Sequence, residues 1–253
     1  MNLKRGDRIG ALACYLDATN TVLFDITIYN SELLAEYLGG LVAAQIRSGS
    51  INQVKLYSSI INTNSITGDS YIGSVFALTH GQILIQQCYV TDMQLFAKSD
   101  NVYSLSGGIV GDLYVTQMTL CYAIVQDSTL AASGSATQVS AGGIFSWLFD
   151  KSVEITDSKV IKTNIQTFSA SKQANCGGLL GFINNQPAII TNSYVKSIVL
   201  QISGVQKYAG LIQGRGLATV FTASRVYTDG TNYINGVLII NCANVINQSQ
   251  NGC

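Results

Sequence analysis

The chain has 253 residues, enough for one or two ordinary domains. Apolar residues make up 47% and charged residues 11%, which supplies a core and excludes a disordered chain. The 14 basic and 14 acidic residues balance and form no basic stripe, so neither nucleic acid nor an anionic membrane surface is expected as a partner.

Residues 1–9 are polar and basic and read as a leading arm or cap. The apolar run from Ile9 to Leu16 ends at Asp17, which is too short for a cleaved signal, and no segment approaches the ~18 apolar residues that cross a bilayer. Thr21–Tyr29 reads as a strand from its β-branched and aromatic content. Ser31 followed by Glu32–Tyr37 is expected to form an N-capped helical turn, the one helix anticipated.

From Gly39 onward one unit recurs. Glycine pairs or their remnants, each followed by aliphatic residues, stand at Gly39-Gly40-Leu41-Val42, Ile72-Gly73-Ser74-Val75, Gly107-Gly108-Ile109-Val110, Gly142-Gly143-Ile144-Phe145, Gly177-Gly178-Leu179-Leu180 and Ala209-Gly210-Leu211-Ile212. With Gly10 as a weaker opening copy, the second glycines at 10, 40, 73, 108, 143, 178 and 210 are 30, 33, 35, 35, 35 and 32 residues apart. Such regularity means stacked or radial units. Each unit runs from glycine corner to aliphatic strand, short turn, second strand and a polar variable segment.

Aligned with each other, the second strands are Gln87-Cys88-Tyr89-Val90, Leu120-Cys121-Tyr122-Ala123, Asp157-Ser158-Lys159-Val160, Asn192-Ser193-Tyr194-Val195 and Ala223-Ser224-Arg225-Val226. Alternation places the small Cys, Ser, Val and Ala inward and Tyr, Lys and Arg outward. The variable segments, such as 128–140 and 168–175, read as side loops or weak third strands. Past Arg225 the pattern decays into the turn signals Thr228-Asp229-Gly230 and Asn235-Gly236. The expected organisation is therefore a repeat domain over 10–228, closed by a hairpin or partial coil over 229–253.

The architecture expected is all-β: a right-handed parallel β-helix, or solenoid, of about seven coils with a period near 35 residues. A β-propeller is the alternative, but it demands three hairpins per unit, and most units lack three turn signals. Gly-Gly-Leu/Ile-Val/Leu-Gly followed by Ile-Thr-Asn-Ser-Tyr-Val, seen best from Gly177 to Val195, resembles the GLUG repeat of large surface and secreted proteins. The resemblance covers roughly residues 39 to 226. It departs from the pattern at Ile72, where the first glycine is missing, and at Ser146, where the last is. It implies an extracellular or cell-surface solenoid with an adhesive or structural role, and it carries over no catalytic residue.

Chemistry is sparse. Six cysteines, Cys14, Cys88, Cys121, Cys176, Cys242 and Cys253, show no ligand spacing with the lone His80, so no zinc site is expected; Cys88 and Cys121 are read as one repeat position. No cofactor is implied. An enzyme on this fold would need clustered acids. Asp92 and Asp127 lie one period apart, and Asp150, Lys151, Glu154 and Asp157 gather near Trp147, but solvated turns explain both groups more simply. Gly214-Arg215-Gly216 lacks the rest of a phosphate loop and reads as a coil corner.

The stronger constellation is an outward row of Tyr89, Tyr122, Lys159, Tyr194 and Arg225, in which aromatic faces and cations suit a glycan or a partner protein. The plainer reading is a sheet-stabilising ladder. Three functions follow as expectations: a non-enzymatic binding or adhesive solenoid, a polysaccharide-degrading β-helix enzyme, or a subunit that stacks end to end with its own copies.

Overall fold

The computed structural model describes residues 2–4, 7–18, 20–149, 152–170, 172–184, 187–216, 221–229 and 231–239. They form a parallel β-solenoid: three sheets of nine, seven and fifteen strands run along the stack. Among these residues only Asn232–Ile234 and Val237–Ile239 pair antiparallel, so radial antiparallel blades are ruled out. The coil beginning at Gln94 shows the plan. Gln94–Ser99 lies in the first sheet, Tyr103–Gly107 in the second and Val110–Gln126 in the third, after which Thr129–Gly134 returns beside Gln94–Ser99. In later coils the third-sheet segment splits into three short strands, such as Phe145–Leu148, Ser152–Thr156 and Lys159–Ile161.

The glycine corner sets the register. Gly10, Gly40, Gly73, Gly107, Gly142, Gly177 and Gly210 form one ladder of seven rungs and six turns. The sequence alignment on second glycines is thus one residue out at 108, 143 and 178: the first glycine of each of those pairs is the rung. A β-carbon on any rung would strike the carbonyl oxygen three residues on, at 1.8 Å in Gly107 (Val110), 2.0 Å in Gly142 (Phe145) and 1.7 Å in Gly177 (Leu180). The chain doubles back so tightly between the second and third sheets that only hydrogen fits.

Two further corners per coil use the left-handed region. Asp25, Gln53, Gln87, Tyr122, Asp157, Asn192 and Arg225 have φ between 49° and 57°, and five residues later Asn30, Ser58, Asp92, Asp127, Lys162 and Ser197 have φ between 45° and 54°. Asn, Asp and Ser dominate these positions because short polar side chains tolerate this conformation best. At several corners the next residue is a buried serine whose hydroxyl bridges coils. Ser158 Oγ donates to the Thr156 carbonyl at 2.8 Å and accepts the Ala123 N–H at 3.3 Å. Ser193 repeats the bond with Thr191 and Ser158 at 2.9 and 3.1 Å, and Ser128 with Gln126 and Met93 at 2.7 and 3.1 Å. Backbone groups freed by the turn are thereby satisfied inside the stack.

Between corners, aliphatic side chains stack rung on rung. Leu33, Ile61, Leu95, Leu130, Ile165 and Leu200 are consecutive and at most 1% exposed, each contributing roughly 1.5–3 kcal/mol by burial.

Several expectations need correction. Asn2–Lys4 and Arg8–Gly10 are not a separate arm, since they pair in parallel with Glu32–Leu34 and Leu38–Gly40 as part of the first coil. Glu32–Ala35 is a strand, not a helical turn: its alternating burial is fixed by parallel partners on both sides, and tertiary pairing overrides helix propensity. Of the two readings of segments 128–140 and 168–175, the strand one holds, since they contribute strands to the first two sheets rather than side loops. Gly214-Arg215-Gly216 lies within the strand Gln213–Gly216, not at a corner. At the carboxyl end Asn235 and Gly236, at φ 49° and 79°, turn the terminal hairpin as a two-residue loop of positive φ requires. Residues 240–253, with Cys242, Cys253 and the sequon Asn247-Gln248-Ser249, lie outside the described residues.

Gly142→Ala is expected to cost about 3 kcal/mol or more of stability, since a backbone carbonyl cannot yield like a side chain. Gly204→Ala, whose β-carbon would meet nothing nearer than a side-chain methyl at 3.2 Å, is expected to cost far less. Denaturant unfolding measures both, and equal losses would contradict the clearance argument.

Candidate functional site

The left-handed corners decide what reaches the surface, because each one breaks the simple in–out alternation. Lys55, Tyr89, Ile124, Lys159, Tyr194 and Tyr227 occupy successive rungs of one outward ladder. Tyr89, Lys159 and Tyr194 from the sequence-derived row therefore stand together. Tyr122 and Arg225 do not. They are corner residues of the neighbouring column, two residues before Ile124 and Tyr227, and both are exposed. The same two-residue slip separates Cys88 from Cys121: Cys88 is buried beside Ala123, whereas Cys121 faces outward between Gln86 and Thr156. The column Leu56, Val90, Val125, Val160 and Val195 carries the true phase. Reading one residue upstream of it would have found Lys55, Ile124 and, one coil on, Tyr227.

Within the strip the Lys159 ammonium lies 5.3 Å from the centre of the Tyr194 ring, and Tyr194 and Tyr227 stack at 6.1 Å with ring planes 16° apart. Tyr89 is 37% and Tyr227 49% exposed. Rings and ammonium groups recur at the coil spacing of ~4.8 Å, so the strip presents flat apolar faces next to hydrogen-bond donors.

A second group escaped the sequence reading. Five residues beyond each glycine rung from Gly40 onward stand Gln45, Leu78, Asp112, Trp147, Phe182 and Arg215 on one ladder. They face the outer side of the second sheet across the tight corner, where Leu38, Tyr71 and Leu105 complete a small apolar cluster separate from the interior core. Trp147 meets Tyr103 edge-on at 5.4 Å and Phe182 at 4.1 Å. The Arg215 guanidinium covers Tyr208 at 4.4 Å and Phe182 at 5.6 Å, and it donates to Gln173, whose amide in turn donates to Asn175 at 2.8 Å. Trp147 and Phe182 are each 3% exposed, so this notch is packed shut. The constant offset from glycine was the available signal.

Tyr71 donates to Asp69 at 2.9 Å. Burial, followed by the nearby Asp112 and Asp69 charges, holds its phenol protonated far above the usual range. His80 stacks on Tyr114 at 5.9 Å, with its pKa lowered first by burial and then by the charges of Arg47 and Arg8.

The acidic residues are dispersed. Asp92 and Asp127 do share one column on adjacent coils, both exposed at left-handed corners, and Asp92 accepts a bond from Ser58 at 2.9 Å. Their carboxylates suit the backbone conformation there. Glu154 lies on the outer ladder between Thr119 and Ile189, away from Trp147 in its notch, while Asp150 and Lys151 fall outside the described residues. Among those residues no group of three or more His, Cys, Asp or Glu is placed to hold a metal, and no helix is long and apolar enough to cross a membrane. Cys14, Cys88, Cys121 and Cys176 are not disulfide-bonded. Burial pushes the Cys88 and Cys176 thiols up to about 12, so neither is a nucleophile near neutral pH.

The fold defines the chain as a parallel β-solenoid repeat protein. Comparison with family models, curated proteins and solved structures gives no match.

Trp147→Ala is expected to cost about 3–5 kcal/mol, as for other buried aromatics. Tyr122→Ala, at a site 57% exposed, is expected to change stability by no more than about 0.5 kcal/mol. Denaturant titration of the two variants checks whether the notch is structural.

Proposed function

We propose that the chain is a non-enzymatic, extracellular or surface-displayed solenoid with an adhesive role, retaining glycan along the strip of Tyr89, Lys159, Tyr194 and Tyr227. The observation that carries this reading is the strip itself: aromatic rings and an ammonium group repeat on one outward ladder and contact each other at 5.3 and 6.1 Å. Sugar rings pair an apolar face with a hydroxyl edge, which rings beside cationic donors complement. The GLUG-like repeat, which implies the same class of protein, adds to this reading. Glu154 and Asp157 stand away from the Asp92–Asp127 column, and those two carboxylates sit exposed at left-handed corners whose backbone conformation accounts for them.

A second reading, end-to-end stacking of copies, draws on the first coil. There Thr21–Tyr29 pairs, among the described residues, with Gly49–Tyr57 alone, and Val22, Phe24 and Tyr29 are 73%, 61% and 65% exposed. An uncovered edge of this kind can take a further strand.

Retention of the purified protein on a panel of immobilised polysaccharides, with assay of the supernatant for new chain ends, tests the proposal. Retention without cleavage is expected, falling about tenfold or more in Tyr89→Ser/Tyr194→Ser with the fold intact. Cleavage would overturn the non-enzymatic reading. Absence of retention would overturn the adhesive one in favour of stacking.

A further inference from the structure

Four successive coils share a hollow of about 390 Å³ on the outside of the stack, around the bend that divides the third sheet. The bend is made by glycine. Gly49 at φ 155° and Gly81 at φ 70° bring the backbone to where a β-carbon would lie 2.2 Å from the Thr21 carbonyl oxygen and 2.5 Å from that of Arg47, and the register shifts by one residue between Gly81 and Gln82.

The floor of the hollow is a single ladder, Val22, Ser50, Leu84 and Thr119. Apolar and hydroxyl side chains therefore alternate along the stack at steps of ~4.8 Å. One wall is polar. Ser48 Oγ donates to the Gln82 carbonyl at 3.0 Å, and Gln82 Nε2 donates to Gln117 Oε1 at 3.2 Å. That bond leaves the Gln82 amide oxygen as an acceptor and the Gln117 amide nitrogen as a donor, both on exposed side chains. Among the described residues no charged one lines the space.

We propose that this hollow binds a neutral oligosaccharide laid along the solenoid axis. Its volume is that of a small-ligand site. Val22 and Leu84 offer apolar contact to the C–H faces of successive sugar rings, while Ser50, Thr119 and the two glutamine amides meet hydroxyls as donors and acceptors. With no cation in the lining, an acidic sugar would lose hydration without compensation. The site lies on a different facet from the tyrosine strip, and its occupation does not depend on that strip.

Isothermal titration of the full chain with maltotetraose, cellotetraose and chitotetraose, and with tetragalacturonate as the acidic counterpart, tests the assignment. At least one neutral tetrasaccharide is expected to bind, and tetragalacturonate at least about tenfold more weakly. Ser50→Trp, which fills the hollow, and Gln117→Ala, which removes one donor on the exposed wall, are each expected to weaken binding about tenfold or more. Tyr89→Ser/Tyr194→Ser is expected to leave it unchanged. If Ser50→Trp fails to fold, Gln117→Ala decides alone. Failure of all three neutral sugars to bind, binding that survives substitution in a folded hollow variant, equal affinity for tetragalacturonate, or loss in the tyrosine variant would each overturn the proposal.

Discussion

The structure depends on the clearance between one α-carbon and the carbonyl oxygen three residues further along the chain. At every rung of the ladder from Gly10 to Gly210 the second sheet hands over to the third through a corner too tight for a β-carbon. One atom's worth of space thus fixes where each coil turns. Because the turn falls at the same point in every coil, the strands on either side of it stay in parallel register through six turns. The aliphatic ladders follow: once Leu95 lies beside Ile61 and Leu130, the whole inward column is set. The packed notch outside the corner follows as well, since the same bend that excludes a side chain at Gly142 brings Trp147 towards the second sheet.

The left-handed corners act as a second device, with a consequence for the surface. In an uninterrupted strand, a shift of two residues leaves a side chain on the same face. Here a residue at positive φ stands between Cys121 and Ala123, so Cys121 faces outward and Ala123 inward. At Ser59, Ser128, Ser158 and Ser193 a buried hydroxyl then satisfies a backbone N–H of the preceding coil, linking one coil to the next. Turning the chain and choosing which residues reach solvent are therefore one structural event, repeated from coil to coil.

This explains which parts of the molecule were legible in the sequence. Repeat, strand class and parallel stacking were all visible, because glycine pairs recurred at nearly constant spacing and polar segments varied between them. Phase was not. Gly107-Gly108 offers two glycines where Ile72-Gly73 offers one, so alignment by eye settled on the wrong member of the pair. The outward strip suffered likewise: Cys-Tyr at 88–89 and again at 121–122 reads as one motif, but Tyr122 is the corner and Ile124 the outward partner of Tyr89. Residues 32–37 read as helix because Glu, Leu and Ala favour it, and long-range pairing, invisible to local propensity, made Glu32–Ala35 a strand. The aromatic notch was not legible because Trp147 reads in the sequence only as a neighbour of the acids at 150–157, and its equivalence to Phe182 shows once the constant offset from glycine is placed on the fold.

A solenoid built on these rules separates its corners and core from its outward rows. It offers long rows in which one side chain per coil can be altered without disturbing the corner, the core or the next row, which suits the recognition of extended ligands. That reading stands on the outward register, and the register can be measured directly by cysteine pairing. In a Cys121→Ser background, Tyr89→Cys/Ile124→Cys places two thiols on adjacent rungs, within the Cα separation a disulfide spans. Tyr89→Cys/Tyr122→Cys does not. The account predicts that mild oxidation closes the first pair in the folded protein and leaves the second open, as read by mass spectrometry of the linked peptides. Efficient closure of the second pair with none of the first would contradict it.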